Sequence, residues 1–298
     1  MHDLIMVRYI GPLSVYHPAG RRLVISGERT LRAMGVGRLF FGLGFAVVGA
    51  IGLYAHDFVL NQQPVPAGVP WRAVLASLSG ALLLVTGAGL LIAPLARRSA
   101  LVLAVYLFLW VIVLQLPRTL ANPLVEANWL GVGEDLTLSA GGWIILCEIS
   151  GRKDASLRWA RIVFGLALIP IGLSHFVYLE PAAQFIPSWF PLRTPLTAFT
   201  GAAHIAAGLA IAFGVLPRLA ATLEAVMESI FTLVCWVSAV IIAPATRENW
   251  VNLFISTALS AAVWALAESY RDRPWGFARH PTPHLSHPSA TDTPNPLP

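Results

Sequence analysis

The chain has 298 residues, of which 56% are apolar and 12% charged, with a formal net charge of +5 and a mean hydropathy of +0.69. A water-soluble domain carries roughly twice that share of charge, so this composition describes an integral membrane protein and excludes general disorder, which needs low hydrophobicity. Two cysteines, Cys147 and Cys235, both inside apolar runs, exclude a disulfide-built scaffold or a thiol relay. The basic residues cluster at the ends of apolar segments, where topology accounts for them, and no nucleic-acid partner is expected.

The first 35 residues carry Arg8, Arg21, Arg22, Arg29 and Arg32 and lack the apolar core and small-residue cleavage site of a signal peptide. They are expected to stay attached as a cytoplasmic segment. A bilayer core about 30 Å thick needs roughly 20 apolar residues per helix, and that window predicts eight spans. They run from about Gly37 to His56, Trp71 to Ala93, Ala100 to Pro117, Trp129 to Ile149, Arg161 to Leu179, Thr194 to Val215, Leu219 to Ile242 and Val251 to Glu268. The third is the shortest. Each run is continuously apolar, without the alternation of a barrel strand, so the predicted fold class is an all-α integral membrane protein. With eight spans both ends share a side. Sixteen of the twenty basic residues fall on that side, the exceptions being Arg72, Arg118, Arg193 and Arg247, so both termini are expected in the cytoplasm, across a bacterial-type inner membrane. The final residues, 271–298, are rich in proline and hold His280, His284 and His287; they read as a disordered tail.

Sliding the chain on itself by 121 residues brings Pro70 and Arg72 onto Pro191 and Arg193, Gly80 onto Gly201, Gly87 onto Gly208, and Asn128-Trp129 onto Asn249-Trp250. With a short gap, Arg38–Gly42 meets Arg161–Gly165. Four-span repeats enter and leave on one side, so the halves should be parallel rather than inverted. The predicted organisation is a first four-helix repeat over 36–150, a basic linker over 151–160 and a second repeat over 161–270. Glycines three, four or seven apart, such as Gly42 and Gly49 or Gly201 and Gly208, are expected to let helix backbones approach closely.

Ionisable groups inside a span are costly and so are functional candidates unless they reach an interface or pair. His56, Asp57, Glu148 and Glu268 lie at span ends and read as interfacial anchors. Glu134 and Asp135 lie roughly 8 Å below the outer boundary, about 100° apart on one helix, and are expected to be exposed or paired with Arg118 or Arg72. A stronger group lies in the second repeat. His175 and His204 each lie fourteen residues from an inner arginine, Arg161 and Arg218, hence roughly 21 Å above the inner basic layer. Glu224 and Glu228 are four apart on one helical face, with Glu228 roughly 15 Å above Arg218. If they face inward, they form a polar set in which each group offsets the others' desolvation. Such a set could hydrogen-bond quinone oxygens and move protons, bind a divalent metal, ligate a haem from two sides, or simply clamp helices together. HExxH, CxxCH and CxxC are all missing from the sequence.

The run FGLALIPIGLSHF (Phe164–Phe176), the loop residues Pro187, Trp189, Phe190 and Pro191, and TGAAHIAAGLAIAFGVLPRLAA (Thr200–Ala221) resemble the DoxX family of four-helix membrane proteins. The likeness covers Arg161 to about Ile242, and the internal repeat extends it more weakly over Arg38–Ile149. The family commonly has Glu three residues after the glycine of its second helix; here that residue is His204, and the first repeat has Leu83. The resemblance implies two parallel DoxX-like units with the site in the second. Its relatives imply a subunit of a membrane redox system binding quinone, or a non-catalytic scaffold, chaperone or accessory subunit that binds partner helices. On the first reading His175 and His204 bind the quinone oxygens while Glu228 and Glu224 pass protons. Solute transport is disfavoured by the lack of paired helix breaks: Pro170 has no counterpart in the first span.

Overall fold

The structure is a computed structural model that describes residues 14–16, 22–24, 34–59 and 61–276. Most of the basic N-terminal segment and the tail beyond 276, with its three histidines, lie outside the described residues. Apart from a short antiparallel pair, β1 (Ser14–Tyr16) with β2 (Arg22–Val24), the regular structure described is helical, and eight helices are long and apolar enough to cross a membrane. They are α1 (Val36–Ala55), α2 (Arg72–Leu91), a compound third span, α5 (Glu126–Ile149), α6 (Ala155–Val177), α8 (Arg193–Phe213), a compound seventh span and α11 (Arg247–Ser269). The third span joins α3 (Ala93–Trp110), a π-helical turn (Val111–Gln115) and α4 (Leu116–Ala121); the seventh joins α9 (Pro217–Phe231), a π turn (Thr232–Trp236) and α10 (Val237–Ile242). A short helix, α7 (Leu179–Ala183), follows α6.

Two sequence expectations are corrected here. The third span is the longest, at 29 residues, not the shortest. Arg97 and Arg98 depress the hydropathy window, yet they sit exposed in the early turns of α3, whose Pro94 occupies a first-turn position that needs no donor. At the other end Pro117 falls in the first turn of α4, directly after the π turn, where the regular ladder is already interrupted. The predicted linker is also shorter than read: the Asp154 side chain accepts a 3.0 Å bond from the Ser156 backbone N–H, an N-cap that starts α6 at Ala155.

Glycine decides how the helices pair. Gly42 faces Gly87 and Gly49 faces Gly80 between α1 and α2; Gly165 faces Gly208 and Gly172 faces Gly201 between α6 and α8. A Cβ on Gly80 would lie 2.9 Å from the Gly49 carbonyl, and one on Gly172 would lie 2.6 Å from that of Gly201, so neither position accepts a side chain at this spacing. The helices α5 and α11 pack together at Gly141 and Ala262, and each also packs on the opening helix of the other half, α5 on α6 and α11 on α1. The two halves thus share one core, in which Phe41, Phe45, Leu138, Ile144 and Leu266 are fully buried.

Local features recur 121 residues apart. The two π turns do so, and the Trp129 indole donates to the Pro123 carbonyl at 2.9 Å as Trp250 does to Pro244 at 2.8 Å. Asn128 and Asn249 each donate from the side-chain amide at 3.3 Å to the carbonyl six residues before, and Trp71 and Leu192 both take left-handed backbone (φ 59° and 55°) immediately before α2 and α8.

The segment after α1 is fastened to two other helices. Asp57 accepts from Arg72 and, at 3.3 Å, from Arg247, which also donates to the Phe58 carbonyl at 3.0 Å. Partial desolvation pushes the Asp57 carboxyl up, but the bonds from Arg72, the Phe58 N–H and Arg247 outweigh it and hold it below the ordinary carboxylate range. At the other membrane face Glu148 meets Arg271 at 3.3 Å, and Glu268 accepts from the Gly37 N–H at 3.4 Å at the start of α1.

Candidate functional site

The close crossing of α6 and α8 at Gly172 and Gly201 sets the position of the two histidines. The His175 Cβ lies against Gly201, where an added Cβ would meet it at 2.7 Å, so bare backbone leaves room for the imidazole. His204 lies three residues further along α8 on the same face. The ring centroids are 5.2 Å apart, with an interplanar angle of 50°. His204 is buried, at 5% exposure, and His175 is half-buried beside the outward-facing Phe176.

Each ring is held by Nδ1. In His175 it meets the Ile171 carbonyl at 2.9 Å, an acceptor only, so this nitrogen carries the hydrogen and Nε2 is left for another partner. In His204 it meets Glu224 Oε1 at 2.6 Å across the α8–α9 contact. Glu224 is 2% exposed, and its second oxygen, Oε2, is buried with no partner among the described residues. Glu228, one turn on, is 9% exposed and lies within electrostatic reach of His204 and Glu224. The structure therefore brings His175, His204 and Glu224 into one contiguous set, with Glu228 adjoining it.

In the first half the corresponding positions are apolar. At the 121-residue offset His204, Glu224 and Glu228 become Leu83, Leu103 and Leu107, which are 1%, 0% and 0% exposed. A different polar cluster occupies that half, and sequence reasoning missed most of it. Glu134 accepts from Gln62 Nε2 at 3.0 Å, and fully buried Asp135 accepts from Gln115 Nε2 at 3.0 Å, while Gln63 and Tyr106 converge on Ser79 Oγ at 2.8 Å each. The expected pairing of Glu134 or Asp135 with Arg118 or Arg72 is thus overturned. Arg72 is committed to Asp57, Arg118 is exposed, and amides take the carboxylates instead. Gln62 and Gln63 belong to the loop after α1, whose polar letters look like solvent-facing linker. Only the fold reveals that this loop turns inward.

Among the described residues no three His, Cys, Asp or Glu side chains are placed to hold a metal ion, so the divalent-metal alternative has no ligand set there. Cys147 and Cys235 are free and buried. The DoxX family model matches residues 156–240, a stretch from the first turn of α6 into α10 that contains both histidines and both glutamates. No curated protein and no solved structure matches the chain. The second half of this eight-helix membrane protein thus carries a match to the DoxX family over residues 156–240.

Proposed function

We propose that the DoxX domain binds a quinone or a similar lipid-soluble molecule between α6 and α8, as part of a membrane redox system. One observation carries the reading: two imidazoles 5.2 Å apart inside an apolar bundle, each fixed through Nδ1, with a buried carboxylate behind one of them. The residues fit such a ligand. His175 is half-buried next to Phe176, which is 46% exposed, so the ring lies close to the outer surface of the bundle. A bound quinone would supply the electron and proton carrier. The protein's part is orientation and proton handling. Glu224 accepts from His204 Nδ1–H and so fixes its tautomer, leaving Nε2 to exchange a proton with a ligand oxygen. The unpartnered Glu224 Oε2 and the adjoining Glu228 offer places to hold the next proton.

The same proposal treats the chain as a tandem duplication of the DoxX unit with both termini in the cytoplasm of a bacterial-type cell. The recurrences at 121 residues support the duplication, and the sixteen-to-four distribution of basic residues supports the orientation. On this view only the second unit keeps the site, because the first has leucines at three of its four positions.

Titration of the micelle-embedded protein with a short-chain quinone tests the reading. His175→Ala and His204→Ala are each expected to weaken binding about tenfold or more, a loss of about 1.4 kcal/mol per decade. Unchanged affinity in both variants would refute it. A quinone in the organic extract of purified protein supports the proposal; a Soret band would assign the histidines to haem. Stoichiometric co-purification of a partner with neither cofactor would favour the scaffold reading.

A further inference from the structure

On the membrane face that carries most of the arginines, α6, α8, α9 and the segment after α11 border an open-sided cavity of about 850 Å3. Lys153, Arg158, Arg161 and Arg273 line it, against one acid, Asp154. That acid is already used: it binds Arg152 at 2.9 Å, and its other oxygen caps α6. Lys153 is likewise paired, with Asp272 at 2.6 Å. Arg158, Arg161 and Arg273 remain, and none has a carboxylate partner within salt-bridge distance among the described residues. Arg161 is held in place, its guanidinium 4.1 Å from the Tyr270 ring centroid and its Nε donating to Ser269 Oγ at 3.0 Å. Glu148 and Arg273 both lie within electrostatic reach of Arg161, but Glu148 makes its ion pair with Arg271, outside the cavity lining.

The remaining wall of the cavity identifies the anion. Buried Ile211 and half-buried Ile162 form the apolar floor of the cavity, and Phe213 and Val215, 77% and 50% exposed, carry that apolar wall out to the surface. A free inorganic anion has no use for such a wall. We infer that this cavity binds the phosphate headgroup of an anionic phospholipid, with the acyl chains running along Phe213 and Val215. Basic pockets between transmembrane helices at the cytoplasmic boundary are suited to this chemistry. The site is separate from the His175–His204 set, and its test does not depend on quinone binding.

The experiment uses the delipidated full-length protein in a non-ionic micelle, with bound lipid followed by native mass spectrometry and unfolding followed thermally. Phosphatidylglycerol is expected to be retained and to raise Tm, whereas phosphatidylcholine does neither. Arg158→Gln and Arg273→Gln, both exposed positions that the fold tolerates, should each weaken phosphatidylglycerol binding about fivefold, and together roughly thirtyfold. Arg97→Gln, on the same basic face but outside the cavity, should leave it unchanged. Equal retention of phosphatidylcholine, wild-type affinity in the double variant, or the same Tm rise from inorganic phosphate alone would each overturn the inference.

Discussion

Replacing His204 and Glu224 with the residues at the matching positions of the first half separates a functional cluster from a structural clamp. The 2.6 Å bond between them joins side chains that are 7% and 1% exposed, so neither has water to fall back on. His204→Leu alone strands the Glu224 carboxylate with both oxygens unpartnered, and Glu224→Leu alone strands a buried imidazole. Removing one member of a buried pair costs about 3–5 kcal/mol. The double variant strands nothing. It reproduces the Leu83 and Leu103 pair that packs in the first half at 1% and 0% exposure, and it should unfold within about 1 kcal/mol of wild type, or later. The coupling energy between the two substitutions is therefore expected to exceed about 3 kcal/mol. Denaturant titration in micelles, read by tryptophan fluorescence, gives the stabilities, and quinone titration of the same samples gives the affinities. The expected pattern is a stable double variant that no longer binds quinone. A double variant as unstable as the singles would refute the packing argument, and one that binds quinone as tightly as wild type would refute the site.

Three further outcomes follow from the geometry. Gly201→Ala places a Cβ 2.7 Å from that of His175, so it should cost about 1–3 kcal/mol of stability and also weaken quinone binding; Gly80→Ala, which meets the Gly49 carbonyl at 2.9 Å, should cost a similar amount and leave binding alone. Gln115→Leu removes the amide that reaches Asp135 Oδ2 and the Asn61 carbonyl at 3.0 Å each, and an expected loss of about 1–3 kcal/mol for the stranded acceptors would appear in the same denaturant titration. The Asp57 carboxyl is held below its ordinary value of 3.8 by Arg72 and Arg247, so its ion pairs contribute fully above that pH and are lost as the pH falls through the lower folded value. Acid unfolding of Asp57→Asn should be less steep than that of wild type over this window, and parallel curves would show that the pairs contribute nothing.

Hydropathy made the eight spans legible, because a bilayer requires each helix to be apolar along its length whatever it packs against. Span ends were less legible. Arg97 and Arg98 hid two turns of α3, since a composition window cannot distinguish an arginine that ends a helix from one that extends along its surface into the headgroups. In the candidate site, the helical spacing of His175 and His204 from Arg161 and Arg218 was enough to place them at one depth, because rise per residue is fixed. The amide cluster was not legible. Gln62 and Gln63 sit in a loop, and nothing in a periodicity argument tells a loop that folds into a bundle from one that faces water.

The contrast between the halves bears on what the polar groups are for. A clamp needed to hold this four-helix architecture together would be needed in both halves, since both rest on the same glycine crossings and the same π turns. Yet the first half has buried Leu83 on α2, one turn from its crossing glycine Gly80, and buried Leu103 and Leu107 on α3. The framework therefore forms without histidine or glutamate at those positions. Burying His204, Glu224 and Glu228 in the second half adds desolvation cost where leucine serves for packing. That cost is explained if the groups meet a ligand, and it is borne beside half-buried His175, the member of the set nearest the outer surface of the bundle.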